Sequence, residues 1–157
     1  MKNHTIYLYN YVPVTYERVR SMLESDASEL IGDAVDAATA RAETIAAKLE
    51  VSVAGFEVGR AINVRIGPFA ESIEGVPSAR VHLTWEASHQ SGLFPNMECD
   101  LEALPLTKDE TEIVLAGVYR PPFGAAGSAL DTALLHRVAD ASVRQFFDRI
   151  VRRIGEH

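Results

Sequence analysis

The sequence predicts a single α+β domain over residues 1–157, in which a curved antiparallel sheet wraps one long C-terminal helix and two shorter helices follow the first strand. Three observations predict it. From Phe56 to Tyr119, apolar and polar residues alternate in runs of strand length, separated by breaks rich in Gly, Pro and Ser. The last run ends in Gly117-Val118-Tyr119-Arg120-Pro121-Pro122-Phe123-Gly124, and a small-residue linker, Ala125-Ala126-Gly127, leads from it into periodic sequence that nothing breaks before Gly155. Ahead of both, an aromatic and β-branched run gives way at Pro13 to helical patterning.

Residues 5–12, Thr-Ile-Tyr-Leu-Tyr-Asn-Tyr-Val, have the composition of a strand. Tyr7, Tyr9 and Tyr11 share one face of it and Ile6, Leu8 and Val12 the other, so both faces are partly apolar and the pattern leaves the inward face open. Residues 14–23 form a short helix on the apolar positions Val14, Val19, Met22 and Leu23. Ser25-Asp26-Ala27-Ser28 offers a cap for a second helical stretch, and residues 33–49 are Ala-rich with a stripe of Val35, Ala38, Ala42, Ile45 and Leu49. A strand is expected over residues 49–54.

After Gly55 the period changes to two. Phe56, Val58, Ile62, Val64 and Ile66 share a face; Gly67-Pro68 is expected to break this strand, with a loop over residues 70–77. Ala79, Val81, Leu83, Trp85 and Ala87 then alternate with Arg80, His82, Thr84, Glu86 and Ser88. Ser91-Gly92 turns the chain into Met97, Cys99, Leu101 and Ala103, which alternate with Glu98, Asp100 and Glu102. Such alternation marks an antiparallel sheet with one solvated face. Residues 105–110 turn, and 111–119 form the last strand. Ser128 and Asp131 make a capping box for the final helix, about seven turns long, with Gly155 as its C′ residue.

The chain has 157 residues, enough to bury a full core without staples, and its net charge of −7 argues against a general nucleic-acid surface. Arg144, Arg149, Arg152 and Arg153 bunch in the final helical turns, where cations complement the macrodipole. The lone cysteine, Cys99, excludes an internal disulfide and a cysteine-based zinc cluster, and its strand face makes it a buried small hydrophobe. Met1-Lys2-Asn3-His4 leads straight into a strand with no apolar leader, and no apolar run reaches the length of a membrane span. A cytoplasmic protein without integral membrane contact is the expectation.

Arg60 is the one polar position on the face formed by Phe56, Val58, Ile62, Val64 and Ile66. Turned inward, its guanidinium demands a partner, such as a ligand carboxylate or an acidic residue of a neighbouring strand. Turned outward, it snorkels to water. His82, Thr84 and Glu86 face solvent if Trp85 faces the core, across from Arg65 and Asn63. Tyr119 is in register with Ile113, Leu115 and Gly117, and Gly117 leaves room there for the helix or a ligand. His136 is expected to meet Asp140, four residues on. No second His or Cys stands at metal-ligand spacing, and no phosphate loop or nucleophile motif is present, so neither metal nor cofactor is expected.

With this element order, the strand end at residues 62–68 and the Gly-x-Tyr-x-Pro-Pro-x-Gly turn, the chain resembles the START-type helix-grip superfamily (SRPBCC, birch-pollen-allergen-like) over nearly its whole length. The resemblance implies a sheet curled around the last helix over an apolar cavity. Members bind lipids, sterols or aromatic products, and some are cyclases, hydratases or ring-hydroxylase components. No catalytic motif carries over. The expected function is therefore binding of a small hydrophobic or aromatic ligand between sheet and helix. Its lining is expected from Phe56, Val58, Arg60, Ile62, Val81, Leu83, Trp85, Met97, Leu101, Leu115, Tyr119, Leu134 and Val138. The alternatives are a cyclase- or hydratase-like enzyme using the same cavity, with Arg60 or a tyrosine as polariser, and a protein-partner module. The expected partner is a small hydrophobic molecule, with self-association into a homodimer left open.

Overall fold

The structure is a computed structural model and describes residues 4–48, 63–86, 96–120 and 132–156. The chain runs β1 (His4–Val12), α1 (Tyr16–Ser25), α2 (Ala27–Lys48), β2 (Asn63–Ser72), β3 (Ser78–Glu86), β4 (Asn96–Pro105), β5 (Thr111–Arg120) and α3 (Thr132–Gly155). The described strands form one antiparallel sheet in the order β1-β5-β4-β3-β2. The expected strand over 49–54, the segment carrying Phe56, Val58, Arg60 and Ile62, the Ser91-Gly92 turn and residues 121–131 lie outside the described residues.

Alternation sorts the sheet into two faces. Ala79, Val81, Leu83 and Trp85 of β3, Met97, Cys99, Leu101 and Ala103 of β4, and Ile113, Leu115 and Tyr119 of β5 are buried on the inner face. β1 settles its open orientation: Ile6 and Val12 are buried and Leu8 packs against the core, while the tyrosines point out. Thr111, itself buried, donates its hydroxyl to the Val14 carbonyl at 2.6 Å, pinning the chain as it leaves β1.

The helices cover this inner face. Ala139, Val143, Phe146, Phe147, Ile150 and Ile154 recur at three- and four-residue steps along α3 as a buried apolar stripe. α3 packs chiefly along α2 and then on β1, whereas α1 lies over β3 and β4. Asp33 of α2 takes two hydrogen bonds from the Arg149 guanidinium, at 2.7 and 3.4 Å, and Arg153 reaches Glu29 at 3.5 Å. These arginines thus clamp α3 to α2 as well as complementing a helix end.

Three local expectations are corrected. Gly67-Pro68 does not end the strand: β2 continues to Ser72, and only the register shifts, from Ile66 opposite Leu83 to Phe69 opposite Val81. One extra residue in β2 is a β-bulge, which absorbs the proline's missing N–H and keeps Ile66 and Phe69 on the same face. The loop is therefore shorter than expected, with Gly75 at φ 72° taking the left-handed turn position. The bulged strand is tied to α1: Arg20 donates to Glu71 at 2.8 Å and lies over the Phe69 ring, and the Tyr16 hydroxyl donates to Glu71 at 3.5 Å. Second, α1 begins at Tyr16 rather than Val14, because Thr15 is its N-cap, accepting from the Arg18 N–H. Third, the stretches after Asp26 merge into one helix of 22 residues.

Candidate functional site

One row of the inner face crosses the whole sheet. Val64 pairs with Trp85, Trp85 with Met97, Met97 with Tyr119, and Tyr119 with His4. α3 closes this row from above, for Phe146 meets Trp85 edge to face with ring centroids 5.3 Å apart. Of the expected lining, Val81, Leu83, Trp85, Met97, Leu101, Leu115 and Tyr119 all lie on this face. Val81, Leu83, Trp85, Leu101 and Leu115 are no more than 1% exposed, so no water-sized space lies against them. Tyr119, at 8%, retains more accessible surface. Arg60, Phe56, Val58 and Ile62, and the side chains of Leu134, His136 and Val138, lie outside the described residues.

At Tyr119 the interior opens. A crevice of about 210 Å³ runs between β1 and α3, lined by His4, Ile6, Leu8, Tyr119, Asp140 and Arg144 among others. Sites that enclose a drug-sized molecule start near 300 Å³, so this volume suits a mouth or a small ring better than a complete site. His4 stacks on the Tyr119 ring at 5.2 Å between centroids. Burial, and then the Asp140 carboxylate, push the Tyr119 phenol above its ordinary value of 10.0. The phenol is therefore a hydrogen-bond donor at neutral pH and not a base. Asp140 accepts from Arg144 at 3.1 Å, both side chains standing well into solvent at the rim, and its expected contact with His136 lies outside the described residues.

Two other expectations find their outcome here. Gly117 makes room for neither helix nor ligand: a Cβ at this position would strike the Glu98 carbonyl oxygen and stand 2.5 Å from Cys99 Cα. The glycine answers to the close approach of β4. Cys99 is buried as expected, and desolvation first, with the charges of Asp100 and Glu98, pushes its thiol up to about 12. It is no nucleophile.

His82, Thr84 and Glu86 lie on the outer face, with Arg65 opposite Thr84 and Asn63 opposite Glu86, as the alternation requires. His82 bridges β4, its Nδ1 at 2.8 Å from Asp100 and its Nε2 at 3.2 Å from Glu98. A second cleft, about 320 Å³, lies among the helices and is lined by Arg18, Ser21, Met22, Asp26, Glu29, Leu30 and Arg153. Its two cations are matched by two carboxylates, and none of its lining residues belongs to the sheet. Among the described residues no cluster of three or more His, Cys, Asp or Glu is arranged to hold a metal ion, and no helix is long and apolar enough to cross a membrane.

No protein-family model and no curated protein matches the chain. Solved structures do. The protein TTHA0849 from Thermus thermophilus is 14% identical, with 96% of this chain and 97% of that chain covered at a TM-score of 0.50. The Zhui aromatase/cyclase from Streptomyces sp. R1128 is 11% identical over 98% of this chain and 94% of that chain, at 0.49. Norcoclaurine synthase from Thalictrum flavum, solved with dopamine and hydroxybenzaldehyde, is 10% identical over 99% and 88%, at 0.45. The likeness is one of fold. Taken with the strand order and the C-terminal helix on the sheet, it makes this an α+β fold of the helix-grip type.

Proposed function

We propose that this chain binds a small hydrophobic or aromatic molecule between the inner face of its sheet and α3. The observation that carries the reading is Tyr119, a buried phenol at the end of the packed Trp85–Met97 row, which lines the β1–α3 crevice together with Ile6, Leu8 and Val143. Apolar side chains with a few placed polar groups, here His4, Tyr119, Asp140 and Arg144, are the usual make-up of a small-molecule site. Tyr119 donates to a ligand oxygen, and the packed residues below it bound the depth of entry. Phe56, Val58, Ile62, Leu134 and Val138 extend the lining in this proposal, and Arg60 supplies an anchor for an acidic group. A cytoplasmic setting belongs to the same proposal. Binding is preferred to cyclase or hydratase chemistry because the buried polar group of the inner face, the Tyr119 phenol, is held protonated and donates rather than takes a proton.

Thermal-shift measurements with a hydrophobic carboxylate and its neutral alcohol analogue test the reading. At a hundredfold excess over the dissociation constant, binding adds about 2.7 kcal/mol, a shift of several degrees for a domain of this size. Tyr119→Phe should reduce the shift from both compounds, and Arg60→Leu should remove only the preference for the acid. If neither compound moves the transition, the ligand-binding reading fails.

A further inference from the structure

The outer face of the sheet carries two side-chain ridges, of which Tyr7 alone also borders the β1–α3 crevice. The first is aromatic. Tyr7, Tyr9 and Tyr11 of β1 are 61%, 57% and 48% exposed, and successive rings lie 6.2 and 6.0 Å apart between centroids. The second is acidic: Glu98, Asp100 and Glu102 of β4 share that face. β5 runs between them. Thr5, Val118 and Glu98 stand in one cross-strand row, Tyr7, Ala116 and Asp100 in the next, and Tyr9, Val114 and Glu102 in the third. The floor is thus short and apolar. Val114 is only 5% exposed although it points outward, sheltered between its taller neighbours. Glu98 and Asp100 meet His82 from β3, while Glu102 has neither hydrogen bond nor ion pair among the described residues.

We propose that this trough is a docking surface for an extended, basic segment of a partner protein, with an Arg or Lys at every second residue. Charge fixes the sign of the partner: carboxylates form one wall, and ring faces that attract cations form the other. Spacing fixes its conformation. Tyrosines and carboxylates both recur every second residue, about 6.7 Å along the strands, which is the side-chain repeat of an extended chain and not the 5.4 Å pitch of a helix. The walls stand two strand spacings apart, about 9.5 Å, so one guanidinium fits between a ring and a carboxylate. Three large exposed aromatics in line on a sheet face are the kind of patch that marks an interaction surface.

The test is calorimetric titration of the full chain with two blocked octapeptides of equal charge, (Arg-Ser)4 and (Arg-Arg-Ser-Ser)2, at low and moderate salt. The alternating peptide should bind at least about fivefold more tightly, since cation–π contacts add to charge only when each Arg is in register. Tyr7→Ser/Tyr9→Ser and, separately, Glu102→Gln should each weaken it while leaving the circular dichroism spectrum unchanged. Equal affinities, or no loss in the tyrosine variant, would reduce the surface to unspecific charge and overturn the proposal. No binding of either peptide, or size-exclusion data showing that the tyrosines join two copies of this chain, would overturn it as well.

Discussion

Phe146→Ala reaches the centre of the structure. The ring is fully buried and meets Trp85 edge to face at 5.3 Å, the only tryptophan in the chain. Truncation removes the transfer free energy of a buried phenyl and leaves a void between rigid elements, together costing about 3–5 kcal/mol. The lost edge-to-face contact, about 0.5–1.5 kcal/mol, falls within that range because it belongs to the same atoms. For a domain of this length each kcal/mol lowers the midpoint by about 2–4 °C, so the transition should fall by roughly 10 °C. Trp85 reports the local change: its emission should move to the red and become more accessible to iodide. The void is apolar, so benzene should partly restore the midpoint by occupying it. A loss below about 1 kcal/mol with unchanged emission would show that α3 does not close over the Trp85 row, and the placement of the ligand site would go with it.

Three further outcomes follow from named contacts. Gly117→Ala pushes a methyl into the β4 backbone and should destabilise by about 1–3 kcal/mol in urea denaturation, with no effect only if β5 can draw away from Cys99. The hydrogen bond that His82 donates to Asp100, opposed by burial and aided by the charges of Asp100 and Glu98, raises His82 above its ordinary value of 6.5. Its stabilisation is therefore full below that value and lost as pH rises through the raised one, so the Tm advantage of the native chain over His82→Asn should shrink between pH 6 and 8. At nearly half exposure the whole effect stays under about 1 kcal/mol. Asp33 behaves oppositely: the Arg149 hydrogen bond holds its carboxyl below the ordinary 3.8, so its contribution is present above that value and lost on acidification. Asp33→Asn should lower the midpoint at pH 6, and the difference should shrink progressively as pH falls below 3.8, as thermal melts on acidification would show.

The legible part of the fold was whatever repeats. β3 and β4 alternate so cleanly that Trp85, Leu83 and Leu101 could be turned inward, and His82 outward toward the Arg65 side, before any coordinates. β1 could not be oriented, because tyrosines carry apolar bodies and polar tips and suit either face; packing of Ile6 and Val12 under the helices decided it. Pro68 misled because a proline marks a bulge as readily as a strand end, and only the partner strand tells them apart. The site was half visible. Tyr119 stood out by register, but His4, Asp140 and Arg144 come from both ends of the chain and gather only when α3 lies beside β1. The Asp33–Arg149 clamp spans 116 positions and leaves no local signature.

The central claim is where a ligand sits, and methyl-labelled NMR during titration with a naphthoate addresses it directly. The account predicts shift changes at Ile6, Leu8 and Val143, which line the β1–α3 crevice, and at Leu115 beneath it. It predicts none at Val118 on the outer face or at Met22 and Leu30 in the interhelical cleft. Changes confined to Val118, or to Met22 and Leu30, would contradict it.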